Sequence, residues 1–247
     1  MLHSENEKEW FEEWFDSPYY HVLYKDRDNK EAQQFISNLI TYLKPTKLDL
    51  FLDVACGKGR HSIFIEQLGY QIDGFDLSEN SIAIAKKQEN KNLRFYVNDI
   101  RIPLKLNHYD FALNLFTSFG YFDKESDNQL AINAIAENLK RGGILVLDFM
   151  NCMKVVNQLE KQEIKCINDI TFNISKSFNN GYIIKNIDFI AKGNAYSFQE
   201  KVKALNLNQF KNYFNVDKLK IEDIFGDYCL NDFDEHNSDR LIIVAKK

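Results

Sequence analysis

One short run of the sequence combines glycines and a carboxylate in a pattern that suits an anionic or nucleoside ligand. From Asp53 to Ser62 it reads Asp-Val-Ala-Cys-Gly-Lys-Gly-Arg-His-Ser. Gly57 and Gly59 let the backbone turn tightly and let a ligand approach with no Cβ in the way. The N–H groups of the helix predicted to follow favour an anion or a carboxylate. A lone Gly-x-Gly occurs in many tight turns, so this one gains weight from its place between a predicted strand and a predicted helix.

Two aspartates follow at the ends of the next two predicted strands. Asp76 lies 19 residues after Gly57, a spacing at which a carboxylate can accept hydrogen bonds from both ribose hydroxyls of a nucleoside. Asp99 can accept from the amino group of adenine, while a neighbouring backbone N–H donates to a ring nitrogen. The structural alternatives are a helix N-terminal aspartate beside a Ser78 cap and an Asx turn that leads to Pro103. Together with the glycine turn, the two aspartates favour nucleoside binding.

An alternation of strands and helices must position these residues. Short apolar runs predict five strands, at Leu48–Val54, Tyr70–Phe75, Leu93–Val97, Tyr109–Leu115 and Ile144–Phe149. Helices are predicted between them at about Arg60–Leu68, after Ser78, and at about Asp127–Leu139. Strands that alternate with helices imply an α/β fold, in which a parallel sheet carries helices on both faces. The first three strands then end at the glycine turn, at Asp76 and at Asp99.

Two segments lie outside this alternation. Ser4-x-x-Glu7 and Asp28-x-x-Glu31 are helix-start signals, so we predict an N-terminal helical cap over residues 1–45. The cap's first helix should end at Pro18. After the fifth strand, Asn179-Asn180-Gly181 predicts a hairpin turn inside a small antiparallel β insert over about 164–205. The insert belongs to a main domain over residues 46–247, whose last two strands come near the end of the chain.

Composition argues against several other classes of protein. With 247 residues, of which 45% are hydrophobic, the chain can form a substantial core without disulfides or metals. It has no apolar run near the roughly 18 residues of a membrane span, and no leader-like start, so we expect a cytoplasmic protein with no membrane partner. A net charge of −5 argues against binding duplex DNA. The four cysteines and five histidines lack metal-ligand spacing, so we predict no metal site.

The glycine turn and the aspartates resemble the motifs of the class I S-adenosylmethionine-dependent methyltransferases. The matching pattern is Asp53-x-Ala55-x-Gly57-x-Gly59, followed by Asp76 and Asp99, with Ala55 in place of the first motif glycine. The resemblance covers nearly the whole chain in element order. It implies a doubly wound, seven-stranded Rossmann-like sheet whose last two strands form a hairpin, only the seventh being antiparallel. The aromatic N-terminal segment and the insert also resemble small-molecule methyltransferases of the sugar-amine N-methylating type and uncharacterised bacterial relatives.

The resemblance implies S-adenosylmethionine as the cofactor and gives roles to particular residues. Gly57 and Gly59 would lie against its methionine part, and Arg60 or its backbone would face the carboxylate. Asp76 would hold the ribose, and Asp99 with Ile100 would hold the adenine. The remaining residues of the predicted cofactor site are Asp53, Ala55, Cys56, Leu77, Asn114 and Leu115.

The family's fourth motif lies at Asn114–Tyr121 and would face the methyl group and its acceptor. The chain has no Asn-Pro-Pro-Tyr or Asp-Pro-Pro-Tyr run, which methylases of nucleobase amino groups use, and no Pro-Cys nucleophile. With the acidic net charge, this favours a small-molecule acceptor that is methylated on nitrogen or oxygen. Most aromatic residues should be core. We nevertheless predict that some line the acceptor pocket, namely Tyr20, Tyr24, Phe119 and Tyr121.

Two functional roles are predicted for the N-terminal segment. His21 is the candidate general base, in case the acceptor must lose a proton; the alternative is a packing histidine. Residues 10–24, rich in aromatic side chains, are predicted to close over the cofactor as a lid and exclude water. The alternative is that these aromatic residues only seal the edge of the sheet.

Three other functions compete with a small-molecule methyltransferase. An RNA or protein methyltransferase would need a clustered basic surface around the pocket, and a non-catalytic S-adenosylmethionine-binding protein would need a blocked acceptor pocket. In a nicotinamide-dependent dehydrogenase the third glycine of the fingerprint would fall at Ser62, and Asp99 would have no role. The quaternary structure is expected to be a monomer or a homodimer.

Overall fold

The structure is a computed structural model that describes residues 10–25, 29–216 and 219–247. Contacts divide the chain into a smaller unit, Met1–Arg27 with Leu159–Val202, and a larger unit, Asp28–Gln158 with Lys203–Lys247. The domain boundaries drawn from the sequence stay predictions. The contacts place the helix at Asn29–Leu43, which the sequence assigned to the cap, in the larger unit.

The described part of the chain contains eight α-helices and eleven strands. The helices are α1 Trp10–Asp16, α2 Pro18–Leu23, α3 Asn29–Leu43, α4 Arg60–Gln67, α5 Glu79–Ala85, α6 Glu125–Asn138, α7 Cys152–Asn157 and α8 Leu207–Val216. The strands are β1 Leu50–Val54, β2 Gln71–Asp76, β3 Leu93–Val97, β4 Tyr109–Asn114, β5 Leu139–Met150, β6 Gln162–Ile167, β7 Ile170–Asn179, β8 Tyr182–Ala191, β9 Asn194–Lys203, β10 Lys220–Phe225 and β11 Arg240–Lys246. None of the described helices is both long and apolar enough to cross a membrane.

The larger unit is built on a seven-stranded sheet in the order β10-β11-β5-β4-β1-β2-β3. β1 pairs in parallel with β2 and with β4, and β11 runs antiparallel to both of its neighbours. This confirms the predicted Rossmann-like sheet with one antiparallel strand. The strand order reverses direction between β1 and β4, and ligands of such sheets bind beyond the strand carboxyl ends at that point.

The helices of the larger unit form where the sequence carries a continuous apolar stripe. On α3, Ala32, Phe35, Ile36 and Leu39 recur at helical spacing and are all buried. Phe35, Ile36 and Leu39 join residues of β1, β2 and β3 in one core cluster. α5 begins after Ser78, whose hydroxyl accepts the Ser81 N–H at 3.0 Å, so the predicted cap is confirmed.

The smaller unit consists of a four-stranded sheet, β6-β7-β8-β9, and the two short helices α1 and α2. Its core comprises Trp14, Leu23, Phe172, Ile174, Ile187, Phe189 and Ala191. Asn180 and Gly181 both have positive φ, 48° and 81°, as a tight hairpin turn requires, so the predicted Asn-Gly turn is confirmed. The smaller unit thus contains the antiparallel insert that the sequence predicted.

Two local predictions about the smaller unit need correction. Pro18 was expected to stop a helix, and it also begins one: it lies in the first turn of α2, where a missing N–H costs nothing. Ser17 caps this helix by accepting the Tyr19 N–H at 3.2 Å. The strand β6 was not predicted, because its apolar residues alternate with Glu163 and Lys165 in a run of only six residues. The capping signals at Ser4-x-x-Glu7 and at Asp28 lie outside the described residues.

Candidate active site

The turn between β1 and α4 takes the conformation that its glycines allow. Ala55, Gly57 and Gly59 have φ of 58°, 56° and 80°. A Cβ added to Gly59 would lie 2.4 Å from the ring of Phe95, so packing requires glycine there. A Cβ on Gly57 would meet no atom within 4 Å. The backbone at Gly57 therefore has an open face beside it, as the sequence predicted for a ligand site.

The structure brings Asp76 to this turn. The Gly57 N–H donates to Asp76 Oδ2 at 2.8 Å, and the Ser78 N–H donates to Asp76 Oδ1 at 2.9 Å. Its carboxylate therefore both anchors the glycine turn and lies at the start of α5. Asp76 is half-buried, so a ligand can reach the residue. The structural and the functional interpretation of Asp76 are compatible.

Asn114, at the end of β4, has a buried hydrogen-bond acceptor next to the end of β1. Its Nδ2 donates to the carbonyls of Val54 and Ser118, both at 3.2 Å. These two carbonyls fix the orientation of the amide. Asn114 Oδ1 is buried and has no hydrogen-bond partner among the described residues, and a buried acceptor of this kind calls for a donor. Leu115 follows with its side chain in the core.

Arg60 provides a positive charge at the start of α4. Its guanidinium lies 4.7 Å from the ring centroid of Phe116, and the His61 ring stacks on the same phenyl ring at 4.9 Å. Arg60 Nη2 lies 3.2 Å from His61 Nε2. The charge predicted to meet a carboxylate is thus placed on an aromatic surface next to the glycine turn.

Asp99 forms the Asx turn that was its structural alternative. The Arg101 N–H donates to Asp99 Oδ1 at 2.8 Å, and the Arg101 guanidinium donates to both carboxylate oxygens at 2.6–3.1 Å. Burial acts to raise the pKa of Asp99, and these bonds and the charge of Arg101 hold it below its usual value. The carboxylate is therefore ionised and oriented. Its contact with adenine, together with Ile100 and Leu77, stays a prediction.

Asp53 lies in the interior rather than on the open side of the turn. It is 1% exposed and accepts the Ser62 hydroxyl at 2.5 Å, so it ties β1 to α4. Burial raises the pKa of Asp53 to about 7, partly offset by the bond from Ser62. Cys56 is also buried, and burial raises the pKa of its thiol well above its usual value. Both residues therefore support the turn from the protein interior.

The raised pKa of Asp53 predicts a specific pH dependence of stability. Between its ordinary value near 3.8 and about 7, the folded protein binds more protons at Asp53 than the unfolded chain does. The free energy of unfolding therefore falls as the pH rises through this range, by up to about 4 kcal/mol from this group. Asp53→Asn keeps an oxygen for Ser62 and should remove that fall. Urea unfolding of the wild type and of Asp53→Asn at pH 5 and pH 8 measures this difference. If the free energy of unfolding changed equally in both proteins between the two pH values, the assignment would be contradicted.

The predicted acceptor residues of the larger unit occupy different environments. Phe119 is 2% exposed and packs on Phe210 and Tyr213 of α8, with ring centroids 5.8 and 6.1 Å away. It is a core residue in this structure, which is the alternative that the sequence left open. Tyr121 is half-buried, and its hydroxyl donates to the Thr117 carbonyl at 2.5 Å. Tyr121 therefore orders the loop after β4.

The predicted residues of the N-terminal segment belong to a polar cluster within the smaller unit. Tyr24 donates its hydroxyl to both oxygens of Glu200, at 2.7 and 2.9 Å, and Trp14 Nε1 donates to Oε1 at 2.7 Å. Lys185 Nζ donates to the Tyr24 hydroxyl and lies 3.5 Å from Glu200 Oε2. Burial lowers the pKa of Lys185, and the negative charge of Glu200 offsets this lowering only in part. The ring of Tyr20 packs between Trp14 and Tyr24.

The aromatic residues of α1 and α2 thus have a packing partner in the insert sheet. His21 lies beside Tyr20, with ring centroids 5.3 Å apart. Whether His21 acts as a base, whether Tyr20 and Tyr24 bind an acceptor, and whether residues 10–24 act as a lid stay predictions. Sequence reasoning did not find Glu200 and Lys185, which lie 176 and 161 residues from Tyr24. Each shares its strand, β8 or β9, with at least one other charged residue, so nothing in the sequence singles it out.

Part of the chain is similar in sequence to known proteins. Residues 51–143, from β1 to the start of β5, match a family profile described as a methyltransferase domain. A probable S-adenosyl-L-methionine-dependent methyltransferase, TehB, from Haemophilus influenzae is 33% identical over 92 residues, which are 36% of this chain and 30% of that protein. The chain thus spans less than a third of that relative's length.

Solved structures share the fold at low sequence identity. An S-adenosylmethionine-dependent methyltransferase from Clostridium acetobutylicum has a TM-score of 0.78 at 19% identity, covering 92% of this chain and 95% of that one. S-adenosylmethionine-bound CalS10, an amino pentose methyltransferase from Micromonospora echinaspora, has a TM-score of 0.71 at 16% identity, covering 99% of both chains. Residues 51–143 therefore match a methyltransferase domain, and the chain has the fold of S-adenosylmethionine-dependent methyltransferases.

Proposed function

We propose that the protein transfers a methyl group from S-adenosylmethionine to a nitrogen or oxygen of a small molecule. The observation that carries the proposal is the meeting of Gly57, Asp76 and Asn114 where the strand order reverses. Gly57 supplies an open backbone face, Asp76 a half-buried carboxylate, and Asn114 a buried oxygen with no partner among the described residues. A ligand with a flat backbone-facing part, vicinal hydroxyls and an ammonium group satisfies all three.

The residues present fit the proposed cofactor. Asp76 would accept from its ribose hydroxyls, since its ionised carboxylate lies at the carboxyl end of β2 beside the glycine turn. Asn114 Oδ1 would accept from its ammonium group, and Arg60 would pair with its carboxylate. Gly57 would let these groups approach the backbone. When bound, S-adenosylmethionine supplies a methyl group already activated by a sulfonium, so the protein mainly orients the partners and excludes water.

The chain's own groups suit that task on the side of β4. Phe116 and Tyr121 provide half-buried aromatic surface on the loop after this strand, and aromatic faces exclude water and attract cations. A base is required only for an acceptor that must lose a proton. His21 remains the proposed base.

A small-molecule acceptor is supported by two observations. The net charge is −5, which disfavours a polyanionic acceptor such as RNA. The fold is similar to that of CalS10, whose acceptor is an amino pentose. Amino sugars are therefore the first class of acceptor to test.

Ligand binding and turnover test the proposal separately. Calorimetry should show binding of S-adenosylmethionine and of its demethylated product, and no binding of NAD. A panel of amino sugars, other small amines and alcohols should then yield S-adenosylhomocysteine above the rate without acceptor. NAD binding with no response to S-adenosylmethionine would refute the cofactor. Methylation of RNA or protein in preference to every small molecule would refute the acceptor class alone.

A further inference from the structure

The loop after β4 begins with two strained residues in succession. Phe116 and Thr117 have φ of 57° and 63°, and neither is glycine. For side-chain-bearing residues this left-handed conformation is unfavourable, and it persists only where the surroundings determine it. Such strain is concentrated at sites where the direction of a side chain matters.

A buried ion pair holds this turn on both residues. The Phe116 N–H donates to Asp148 Oδ2 at 2.7 Å, and the Thr117 N–H donates to the Asp148 carbonyl at 3.0 Å. Arg240 Nε donates to Asp148 Oδ1 at 2.8 Å, and Arg240 Nη2 donates to Thr117 Oγ1 at 3.0 Å. The side chain of Asp148 is completely buried and that of Arg240 is 18% exposed. Removing the carboxylate would leave the Phe116 N–H without its acceptor and would leave the Arg240 guanidinium without its charged partner.

The strained turn places the ring of Phe116 against the first residues of α4. The Arg60 guanidinium lies over this ring at 4.7 Å, and the His61 ring stacks on it at an interplanar angle of 21°. The ring of Tyr228 packs against it from another direction, with centroids 5.1 Å apart. A continuous set of contacts therefore runs from Asp148 through the turn and the phenyl ring to Arg60.

We infer that Asp148 and Arg240 are positioning residues, which fix the Phe116–Thr117 turn so that its phenyl ring aims Arg60 at the carboxylate of the cofactor. The inference rests on the proposed function, because it assumes that S-adenosylmethionine binds beside Gly57. Without the ion pair the turn is free to relax to a right-handed conformation, and the ring moves with it. Arg60 then loses the aromatic surface that orients its guanidinium, which weakens binding of the carboxylate end of the ligand.

Two ligands separate this effect from general damage to the site. S-adenosylhomocysteine carries the amino-acid carboxylate and ammonium group, whereas 5′-methylthioadenosine shares the adenosine and the sulfur and lacks both of these charged groups. We expect Asp148→Asn and Phe116→Leu to raise the Kd of S-adenosylhomocysteine by about tenfold, the loss of one oriented charged contact. The Kd of 5′-methylthioadenosine should stay within about twofold of the wild-type value. Phe116→Tyr, which keeps the ring, should restore S-adenosylhomocysteine binding.

Asp110→Asn is the matched control for a lost ion pair. Asp110 Oδ2 also accepts one backbone N–H, from Leu50 at 2.9 Å, and one cation, Lys140 at 2.7 Å. It lies at the opposite end of β4, so neither affinity should change. Equal weakening of both ligands by Phe116→Leu, or unchanged S-adenosylhomocysteine binding in Phe116→Leu and Asp148→Asn, would overturn the inference and leave the proposed function standing. Wild-type protein that binds neither ligand would overturn both.

Discussion

Gly57→Val is expected to abolish binding of S-adenosylmethionine while the protein still folds. A Cβ at this position meets no protein atom within 4 Å, so the branched side chain extends from the open face that the cofactor needs. We expect a loss of affinity of more than about 100-fold, because the ligand and the side chain cannot occupy the same volume. Isothermal titration calorimetry measures the affinity, and circular dichroism checks the fold.

Backbone strain is the competing cause of any defect in Gly57→Val, and Gly181→Val controls for it. Both glycines have positive φ, 56° and 81°, and at both an added Cβ meets nothing within 4 Å. A β-branched residue should therefore cost each protein a similar free energy of unfolding, on the order of 1–2 kcal/mol. Gly181 lies in the hairpin turn of the smaller unit, so its variant should bind the cofactor normally. Cofactor binding by Gly57→Val at wild-type affinity would remove the glycine turn from the site.

Asp76→Ala is expected to weaken cofactor binding by at least about tenfold. Hydrogen bonds to a charged group contribute about 1.5–3 kcal/mol each before compensation, and the variant would lose two from the ribose hydroxyls. The N–H groups of Gly57 and Ser78 would also lose their acceptor, so the glycine turn would be less ordered. Both effects act in the same direction on the Kd, which calorimetry measures.

Asp73→Ala removes a carboxylate from the same strand without touching the turn. Asp73 accepts from Lys105 Nζ and from the Tyr109 hydroxyl, both at 2.6 Å. This variant should lose stability and keep the cofactor affinity of the wild type. An Asp76→Ala protein that binds as tightly as Asp73→Ala would show that the carboxylate at the end of β2 is only a structural group.

The residues around the glycine turn could be predicted because their signals are local. Each strand end is marked by an apolar run that stops at a polar residue, and β3 was predicted at its observed bounds, Leu93–Val97. The glycines at 57 and 59 mark the turn, and Ser78 marks the next helix start. Since parallel strands share one carboxyl edge, correct strand ends were enough to bring Asp76 beside Gly57.

The positioning ion pair could not be predicted from the same kind of signal. Asp148 and Arg240 are 92 residues apart, and each reads along the chain as one charge in an apolar strand. Only the pairing of β5 with β11 brings them together. Phe119 shows the same limit for aromatic residues, because pocket and core positions have the same composition and the packing of α8 decides between them.

The position of β11 has a consequence for how the protein is made. β11 lies between β5 and β10, yet its residues, Arg240–Lys246, are synthesised after those of all the other strands. Until β11 has left the ribosome, the edge of β5 in the nascent chain has no strand paired with it. Apolar residues such as Val146 and Leu147 lie along that edge. Exposed edges of this kind invite pairing with other chains. The seven-stranded sheet therefore becomes complete only after β11 has been synthesised and inserted between β5 and β10.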